Sequence, residues 1–338
     1  MKRYLERVIE GETLSTEEAR AAMSAIMRGE ANHSQIAGFL VALKSKGEAP
    51  SEIAGFALAM RDASVNVPDP PPNAIDVCGT GGDNSGTLNL STIVSFVVAA
   101  AGVPVAKHGN RSISSKSGSA DVLKELGVAV DLSPENASRA LKEIGVAFLF
   151  APMYHPAMKH AAPVRKELAM KTVFNILGPL TNPAGVKRQM IGVFNDDAAN
   201  KMREAAADLA PERIALVCAD DAYDEITLSG TANVYEYEAG ERRDRSLQAK
   251  DFGYESVAIE ELRGGDPKVN AERTLAILGE KTLSGAGKVA AANAALALQV
   301  AGFDDDLGAC VRAAEETIVS GAAIAKLRDL VAFSERVQ

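Results

Sequence analysis

The sequence is poor in aromatic residues and in cysteine. It contains no tryptophan, aromatic residues make up 5% of its 338 residues, and its three cysteines form no CxxC pair. The cysteines are Cys78, Cys218 and Cys310. Sparse, separated thiols indicate neither a disulfide framework nor a zinc site, and they are typical of a reduced, cytoplasmic protein.

Long apolar runs are also missing. The charge-free stretch between Asp83 and Lys107 is mainly apolar only from Ile93 to Ala106, which is short of the ~20 residues of a membrane span. The first seven residues carry too much charge for the apolar segment of a signal peptide. The sequence therefore predicts no membrane partner.

Positive charge is outweighed by negative charge. There are 36 lysine and arginine residues against 45 aspartate and glutamate residues, so the formal net charge is −9. A chain of this kind is a poor nucleic-acid binder as a whole, and an anionic ligand would need a local site. Neither a GxSxG nucleophile motif nor a known Cys–His signature is present, so covalent catalysis is not indicated and no residue is assigned as an acid, base or nucleophile.

The first 65 residues have the pattern of a small helical bundle. Ser15 and Glu18 form a capping box ahead of apolar residues at helical spacing, and Gly29 and Gly47 end the first two helices of that pattern. Four prolines between residues 68 and 72 then indicate a stiff linker. Short connections between amphipathic helices favour a bundle, so we expect a helical domain over residues 1–70.

The rest of the chain alternates short apolar runs with helical stretches, which predicts a mostly parallel sheet flanked by helices. The runs suited to buried strands are Ala74–Cys78, Val103–Ala106, Gly127–Val130, Val146–Phe150, Met190–Phe194 and Ile214–Cys218. The helical stretches are Leu90–Ala101, Ala120–Leu126, Pro134–Ile144, Ala198–Leu209, Ala286–Ala301 and a last one from Leu307. Residues Ile226–Glu238 have the pattern of a strand or hairpin. The predicted fold class is α/β with a small N-terminal helical bundle.

A glycine-rich segment, Asp76–Thr87, directly follows the first predicted sheet strand. Four glycines with Asp83 let main-chain amides approach phosphate oxygens, and the next helix offers its positive end. The segment lacks the Gly-Lys-Ser/Thr of a P-loop, and Asn84 occupies the third glycine position of the dinucleotide fingerprint. A tight turn that needs positive φ angles is the alternative.

A second polar segment, Lys107–Ser119, follows the second strand. It holds three cations and five serines in thirteen residues of an acidic protein, which predicts a local anion site. Serine and glycine are also common in plain flexible loops. Its place at the carboxyl end of a parallel strand, beside the glycine-rich segment, favours a ligand site.

A third segment, Asp220–Glu225, carries four carboxylates after the strand that ends at Cys218. Carboxylates clustered at a strand end commonly bind Mg²⁺. The same letters resemble the DDxxD motif of all-helical isoprenyl diphosphate enzymes, but here they lie between a strand and a turn. A solvated acidic loop remains an equal alternative at this stage.

Histidine and arginine side chains form the fourth group. His155 and His160 are five residues apart and share no helix face, and a chain with four histidines makes a zinc site improbable. Arg165 could grip a carboxylate with its planar guanidinium. A solvated arginine on a helix is the alternative.

Three motifs together make the chain resemble the anthranilate phosphoribosyltransferase family. They are Gly79-Thr-Gly-Gly-Asp83, Lys107-His-Gly-Asn-Arg111 and Asn175-Ile-Leu-Gly-Pro-Leu-Thr-Asn-Pro183, with the Asp224-Glu225 pair in addition. The resemblance covers essentially the whole chain. It implies transfer of a phosphoribosyl group to the amine of anthranilate, helices within residues 156–186 that join the N-terminal domain, and an α/β domain over residues 73–155 and 187–338.

The resemblance also implies site residues. Those for phosphoribosyl diphosphate would be Gly79, Gly82, Asp83, Thr87, Asn89, Leu90, Ser91, Thr92, Lys107, His108, Gly109, Asn110, Arg111, Ser112, Ile113, Ser114, Ser115 and Ser119. Those for anthranilate would be Gly79, His108, Asn110, His155 and Arg165. Two Mg²⁺ ions would be held, one by Ser91 and one by Asp224 and Glu225. The family likeness further implies a homodimer through the N-terminal helices.

One departure from the family pattern concerns the segment before the metal pair. The family usually has a glycine-rich Gly-x-x-Gly-Leu-Asp-Glu after a histidine, whereas this chain has Cys218-Ala-Asp-Asp-Ala-Tyr-Asp-Glu225. The role of Asp221, as a metal ligand or a solvated carboxylate, stays open here. Two other functions compete: a pyrimidine nucleoside phosphorylase-like enzyme, and a nucleic-acid-binding relative of the same fold, which the acidic charge disfavours.

Overall fold

The computed structural model describes residues 1–81, 85–112 and 117–337. The strands are β1 Ile75–Gly79, β2 Val105–Gly109, β3 Val146–Phe150, β4 Arg188–Gly192, β5 Arg213–Ala219, β6 Ala232–Glu238 and β7 Glu241–Leu247. The α-helices are α1 Lys2–Ile9, α2 Thr16–Met27, α3 His33–Lys46, α4 Pro50–Asp62, α5 Leu90–Ala100, α6 Ser119–Glu125, α7 Pro134–Glu143, α8 Ala151–Tyr154, α9 Ala162–Leu168, α10 Phe174–Leu177, α11 Asp196–Ala207, α12 Pro267–Leu278, α13 Gly285–Ala301, α14 Leu307–Val319 and α15 Ala322–Arg336. Short 3₁₀ turns lie at Pro156–His160, Gly178–Thr181, Ala249–Phe252 and Ile259–Leu262.

The seven strands form one sheet in the order β3-β2-β1-β4-β5-β6-β7. The first five are parallel, and β6 and β7 are antiparallel. The chain runs outward from β1 to β3 on one side and then crosses to β4 on the other side of β1. The order of strands therefore reverses between β1 and β4, where open α/β sheets bind ligands at their carboxyl ends.

Helices cover both faces of the sheet, which confirms the predicted fold class. On one face, α5 and α13 are almost entirely buried among sheet residues such as Val77 and Val217. Strands buried on both faces need apolar side chains throughout, as β3 has. No helix in the described ranges is long and apolar enough to cross a membrane.

The N-terminal helices α1–α4 share a core with a later segment and with the second face of the sheet. Phe39 and Phe56 of this core meet edge to face, with ring centroids 5.9 Å apart. Phe174 and Leu177 of α10 join it, as does Ile191 of β4. The predicted capping box at the start of α2 is confirmed, because Ser15 and Glu18 bond each other's main-chain amides.

One predicted strand does not exist, and one existing strand was not predicted. Gly127–Val130 is not a strand: Gly127 ends the α6 turn with a φ of 88°, and the Ala129 amide donates to Ser334 Oγ of α15 at 3.0 Å. A short apolar run cannot distinguish a strand from a buried connection. Strand β7 escaped prediction because its sequence, Glu-Arg-Arg-Asp-Arg-Ser-Leu, is mostly charged, as suits an edge strand that must not pair with another molecule.

Candidate functional site

The candidate site begins at the glycine that ends β1. A Cβ placed on Gly79 would lie 2.6 Å from Asp224 Oδ2, and one on Gly192, at the end of β4, would overlap the main-chain oxygen of Asp224. The Gly81 amide also donates to Asp224 Oδ2, at 3.0 Å. Asp224 thus lies in the crevice between β1 and β4, and both strands must end in glycine to admit it.

Two aspartates that precede Asp224 hold the loop that leads to it. Asp220 and Asp221 both have a φ of 51°, which is rare for residues with a side chain. Asp220 Oδ1 accepts from the Thr231 amide at 3.0 Å, and Asp221 Oδ1 accepts from the Asp196 amide at 2.8 Å. The carboxylates thus bind main-chain groups of the loop, while Glu225, next to Asp224, is buried.

Asp221 nevertheless lies among other metal-ligating atoms. Ligand atoms of Asp221, Asp196 and Cys218 lie within 4.8 Å of one another. Burial raises the pKa of the Cys218 thiol to about 12, so this thiol stays protonated near neutral pH. A thiol is a soft donor, so this cluster lacks the all-oxygen ligand set that Mg²⁺ prefers.

Strands β1 and β2 are joined mainly by side chains where the site begins. Within the described residues their register pairs only Ile75 with Val105. After this pair, side chains link the two strands: Asp76 Oδ1 accepts from the His108 amide at 3.0 Å, and Lys107 Nζ donates to the Val77 carbonyl at 2.7 Å.

Lys107 is a buried cation that reaches the next element. Its Nζ also donates to Ser91 Oγ, 3.0 Å away in the first turn of α5. Burial lowers the pKa of Lys107 and raises the pKa of Asp76, and the attraction between the two charges opposes both shifts. A buried ammonium beside a hydroxyl and a helix N-terminus suits a phosphate oxygen.

The start of α5 carries four of the predicted residues. Asn89 is the N-cap residue, and its side chain makes no capping hydrogen bond to α5. Leu90 and Thr92 are buried, and Thr92 Oγ1 has no hydrogen-bond partner among the described atoms. Thr87 pairs with Arg263 in an isolated antiparallel bridge. The start of α5 therefore has no side-chain cap. The Leu90 and Thr92 amides donate to the Leu88 and Asn89 carbonyls, and the Ser91 amide has no main-chain acceptor among the described residues.

The second polar segment leaves β2 at Gly109, where a Cβ would lie 2.5 Å from both Phe148 and Ser119 Oγ. Its two described ends are joined by Asp121, whose Oδ2 accepts from the Ser112 amide at 3.2 Å and the Gly118 amide at 3.0 Å. Predicted residues Ile113, Ser114 and Ser115 lie outside the described residues, as do Gly82 and Asp83.

Two predicted residues of the same segment are tied near its start. The Arg111 amide donates to Asn110 Oδ1 at 2.7 Å. The Arg111 guanidinium lies 5.5 Å from the centroid of Phe150, and Ser119 Oγ donates to the Asn110 carbonyl at 3.2 Å. Arg111 and Asn110 thus keep their outer atoms exposed at the carboxyl end of the sheet.

Two histidines form a neutral pair beside the third motif. His108 and His155 have ring centroids 5.2 Å apart, and His108 Nδ1 lies 3.2 Å from the Gly178 carbonyl. Burial lowers the pKa of His108 to about 3 and that of His155 to about 4. Neutral imidazole faces form an apolar wall that suits an aromatic ring.

Arg165 lies on α9. Its guanidinium stacks 5.1 Å from the centroid of Phe174, and burial lowers its pKa. Among the described residues, no carboxylate forms an ion pair with it. A half-buried cation without a carboxylate partner is suited to an incoming carboxylate.

Sequence reasoning missed several residues that hold the site together. Asp76, Asp121 and Asn270 make the hydrogen bonds that fix its loops. Asp121 has the ordinary pattern of an acidic residue in the first turn of a helix. Asn270 is 181 residues from its partner Asn89, so no local pattern could reveal the contact.

Family models match most of the chain. Residues 2–64 match the helical bundle domain of a glycosyl transferase family, and residues 71–324 match its a/b domain. Curated relatives narrow the family. The anthranilate phosphoribosyltransferase of Bradyrhizobium diazoefficiens is 46% identical over 334 residues, which cover 99% of this chain and 98% of the relative. The anthranilate phosphoribosyltransferase of Salinibacter ruber is 43% identical over 342 residues, which cover 100% of this chain and 99% of the relative.

The chain belongs to the anthranilate phosphoribosyltransferase family.

Solved structures of anthranilate phosphoribosyltransferases have the same fold. That from Thermus thermophilus superposes with a TM-score of 0.92 at 40% identity, over 98% of this chain and 99% of the other. The structure from Saccharomyces cerevisiae, in complex with PRPP and Mg, superposes with a TM-score of 0.90 at 26% identity. The match covers 99% of this chain and 97% of the other. The family resemblance inferred from the three motifs is therefore confirmed.

Proposed function

We propose that this chain transfers the phosphoribosyl group of phosphoribosyl diphosphate to the amine of anthranilate. The C1–oxygen bond to diphosphate breaks, the new bond joins C1 to the amine nitrogen, and the amine loses a proton. The products, N-(5-phosphoribosyl)anthranilate and diphosphate, belong to tryptophan biosynthesis. One observation carries the proposal: in a chain of this family, Asp224, Lys107 and the uncapped start of α5 converge at the reversal point of the sheet.

The phosphoribosyl diphosphate site would use two loops and the start of α5. Main-chain amides of the glycine-rich loop and of α5 supply donors, and Lys107 supplies a buried positive charge. The residues proposed to bind it are Gly79, Gly82, Asp83, Thr87, Asn89–Thr92, Lys107–Ser115 and Ser119.

The oxygen donors of the site suit Mg²⁺. Asp224 and Glu225 are proposed to hold one ion and Ser91 a second, and carboxylate and hydroxyl oxygens are the ligands this cation prefers. Burial of Glu225 fits a charged ligand that is neutralised on binding. When bound, Mg²⁺ neutralises charge on the leaving diphosphate. The magnesium-bound S. cerevisiae relative supports its use.

Anthranilate would bind against the wall formed by His108 and His155, near Gly79. Arg165 would pair with its carboxylate in bidentate geometry, and Asn110 would supply a further hydrogen bond. Because the carboxylate is ortho to the amine, a fixed carboxylate directs the nitrogen. Burial lowers the pKa of both imidazoles, so neither is proposed as an acid that protonates the amine.

Positioning supplies most of the rate in this proposal. An aryl amine is a weak nucleophile but needs no strong base, and the ribose passes through a cationic, oxocarbenium-like state. Holding the amine near C1 while fixed amides stabilise the departing diphosphate meets both needs. No side chain is assigned as a general acid or base.

Assembly, location and domain division complete the proposal. The enzyme would be a cytoplasmic homodimer through its N-terminal helices. Residues 1–70, with helices of 156–186, would form one domain, and 73–155 with 187–338 the other. The packing of α10 in the core of α1–α4 supports its place with the helical domain, and the same core also joins that domain to β4 and α11. No nucleic acid or membrane is a proposed partner.

The test is a fluorescence assay that follows anthranilate loss with phosphoribosyl diphosphate and Mg²⁺. We expect turnover by the unaltered chain. Asp224→Asn combined with Glu225→Gln keeps both side-chain volumes and removes two charges, so turnover should fall by orders of magnitude while the melting temperature changes little.

Two results would count against the proposal. If the unaltered chain consumes no anthranilate under these conditions, it lacks the proposed activity. A double variant that keeps normal turnover at saturating Mg²⁺ would make the two carboxylates ordinary loop charges.

A further inference from the structure

Asn270, in the first turn of α12, links two loops of the proposed site without lying in either. It is only 2% exposed. Its Oδ1 accepts from the Gly265 amide at 2.8 Å, and its Nδ2 donates to Asn89 Oδ1 at 2.9 Å. Asn89 Nδ2 then donates to the Ser117 carbonyl at 3.2 Å. A chain of hydrogen bonds therefore runs from α12 through the start of α5 to the second polar loop.

The direction of this chain is fixed at both ends. A main-chain amide can only donate, so the Asn270 atom facing Gly265 is the oxygen and its NH₂ group faces Asn89. At the other end the Ser117 carbonyl can only accept, so the Asn89 NH₂ group faces it. The two amide side chains can satisfy both ends in one orientation only, with Asn89 Oδ1 turned toward Asn270.

This orientation keeps Asn89 from capping α5. Asparagine is among the best N-cap residues because its Oδ1 accepts from the first-turn amides. Here Oδ1 is taken by Asn270, with a longer contact from Ser117 Oγ at 3.4 Å, and the helix has no side-chain cap. Of the first-turn amides, those of Leu90 and Thr92 already donate to the Leu88 and Asn89 carbonyls, so among the described residues the Ser91 amide is the one left to an external anion.

The same residue also steadies the end of the glycine-rich loop. The Leu88 amide donates to the Leu262 carbonyl at 2.9 Å, and the Gly264 amide donates to the Gly86 carbonyl at 2.7 Å. A Cβ on Gly264 would lie 2.5 Å from the Thr87 oxygen and 3.0 Å from Asn270 Oδ1. Asn270 holds the residue that directly follows this pairing.

We propose that Asn270 is a positioning residue for the diphosphate site: it keeps the Asn89 side chain off the α5 N-terminus and holds the two phosphate-binding loops at a fixed separation. The inference rests on the proposed function, since it assigns the start of α5 to phosphoribosyl diphosphate. Asn270 itself acts only through Asn89 and Gly265.

Two variants of Asn270 separate its links. Asn270→Asp keeps an acceptor for the Gly265 amide but turns a second oxygen toward Asn89 Oδ1, so it breaks the link to α5. Asn270→Ala breaks both links. We expect either variant to raise the KM for phosphoribosyl diphosphate by about tenfold, the scale of one lost hydrogen bond, with kcat and the KM for anthranilate changed less than about twofold.

Thr274→Val is the matched control. Thr274 is buried one turn along α12, and its Oγ1 donates to the Asn270 carbonyl at 2.8 Å. This variant removes a buried hydrogen bond from the same helix but leaves the link to Asn89 intact. It should lower the melting temperature as the Asn270 variants do and leave the KM for phosphoribosyl diphosphate unchanged.

Calorimetric titration of phosphoribosyl diphosphate with Mg²⁺, without anthranilate, gives a readout independent of turnover. Weaker binding in Asn270→Asp or Asn270→Ala, with normal binding in Thr274→Val, supports the proposal. A lower melting temperature with unchanged binding would make Asn270 purely structural and overturn it, as would equal weakening in the control. An unaltered chain that binds no phosphoribosyl diphosphate would instead refute the proposed function.

Discussion

At the scale of single residues, the site is defined by polar groups that the fold buries. Lys107 is almost inaccessible, yet its Nζ meets Ser91 Oγ and the Val77 carbonyl. The sequence predicted Lys107, Arg165 and Asp224 because residues of their types follow strand ends or stand on a short helix. Asp76 and Asn270 could not be predicted, since each acts through a contact formed only by folding.

Arg165 is the residue proposed to bind the carboxylate of anthranilate. Arg165→Ala should lower kcat/KM for anthranilate roughly ten- to a hundredfold. This corresponds to a loss of about 1.5–3 kcal/mol of transition-state stabilisation, the scale of a charged hydrogen bond. The KM for phosphoribosyl diphosphate should change little. Arg165→Lys should recover only part of the loss, because an ammonium lacks the planar fork that stacks on Phe174.

Steady-state kinetics with each substrate varied in turn measures the effect. Lys166→Ala, at the exposed neighbouring position, is the control and should behave as the unaltered enzyme. Equal losses for both substrates in Arg165→Ala would mean that Arg165 supports the fold, and the proposed anthranilate position would be wrong.

At the scale of elements, apolar pattern predicted most of the sheet and the helices that cover it. Five of the six predicted buried strands exist, because a strand buried on both faces has a nearly continuous apolar run. Gly127–Val130 has a similar apolar run because Val128 and Val130 are buried in the core that also holds Leu327 and Leu330 of α15, and burial alone does not make a strand. The charged edge strand β7 has no such run.

The end of β4 provides a test of how elements shape the site. Gly192→Ala places a Cβ against the main chain of Asp224, so the loop that carries Asp224 must move. We expect a loss of stability of roughly 1–3 kcal/mol, typical of overpacking, and at least a tenfold loss of turnover. Thermal unfolding and the anthranilate assay measure the two effects.

Gly38→Ala is the control for this substitution. Its Cβ would make ordinary contact with Leu5, 3.5 Å away, and alanine favours a helix over glycine by roughly 1 kcal/mol. It should be neutral or stabilising and fully active. Full activity of Gly192→Ala would show that Asp224 need not lie between the two glycines.

At the scale of the whole molecule, the N-terminal helices leave apolar side chains uncovered. Ile9 of α1 is 67% exposed and Val41 of α3 is 42% exposed. If the proposed dimer forms through these helices, light scattering at micromolar concentration should give twice the 35.4 kDa chain mass. Ile9→Glu with Val41→Glu should shift the mass toward the monomer, because a buried carboxylate without a partner is unfavourable.

The same pair of measurements can contradict the dimer. Phe303→Glu, a change at an exposed apolar residue that follows α13 in the proposed α/β domain, is the control and should keep the dimer mass. A monomer in the unaltered protein, or a dimer unaffected by the double change, would place the assembly elsewhere.

The side-chain links between β1 and β2 have a consequence for how readily this part of the sheet changes in evolution. In a regular ladder, strand spacing follows from the main chain and is nearly the same for every sequence. Here side chains join the strands, Asp76 to the His108 amide and Lys107 to the Val77 carbonyl. The connection of the two strands at this end therefore depends on replaceable side chains, so it can change by substitution while the rest of the sheet keeps its main-chain ladder.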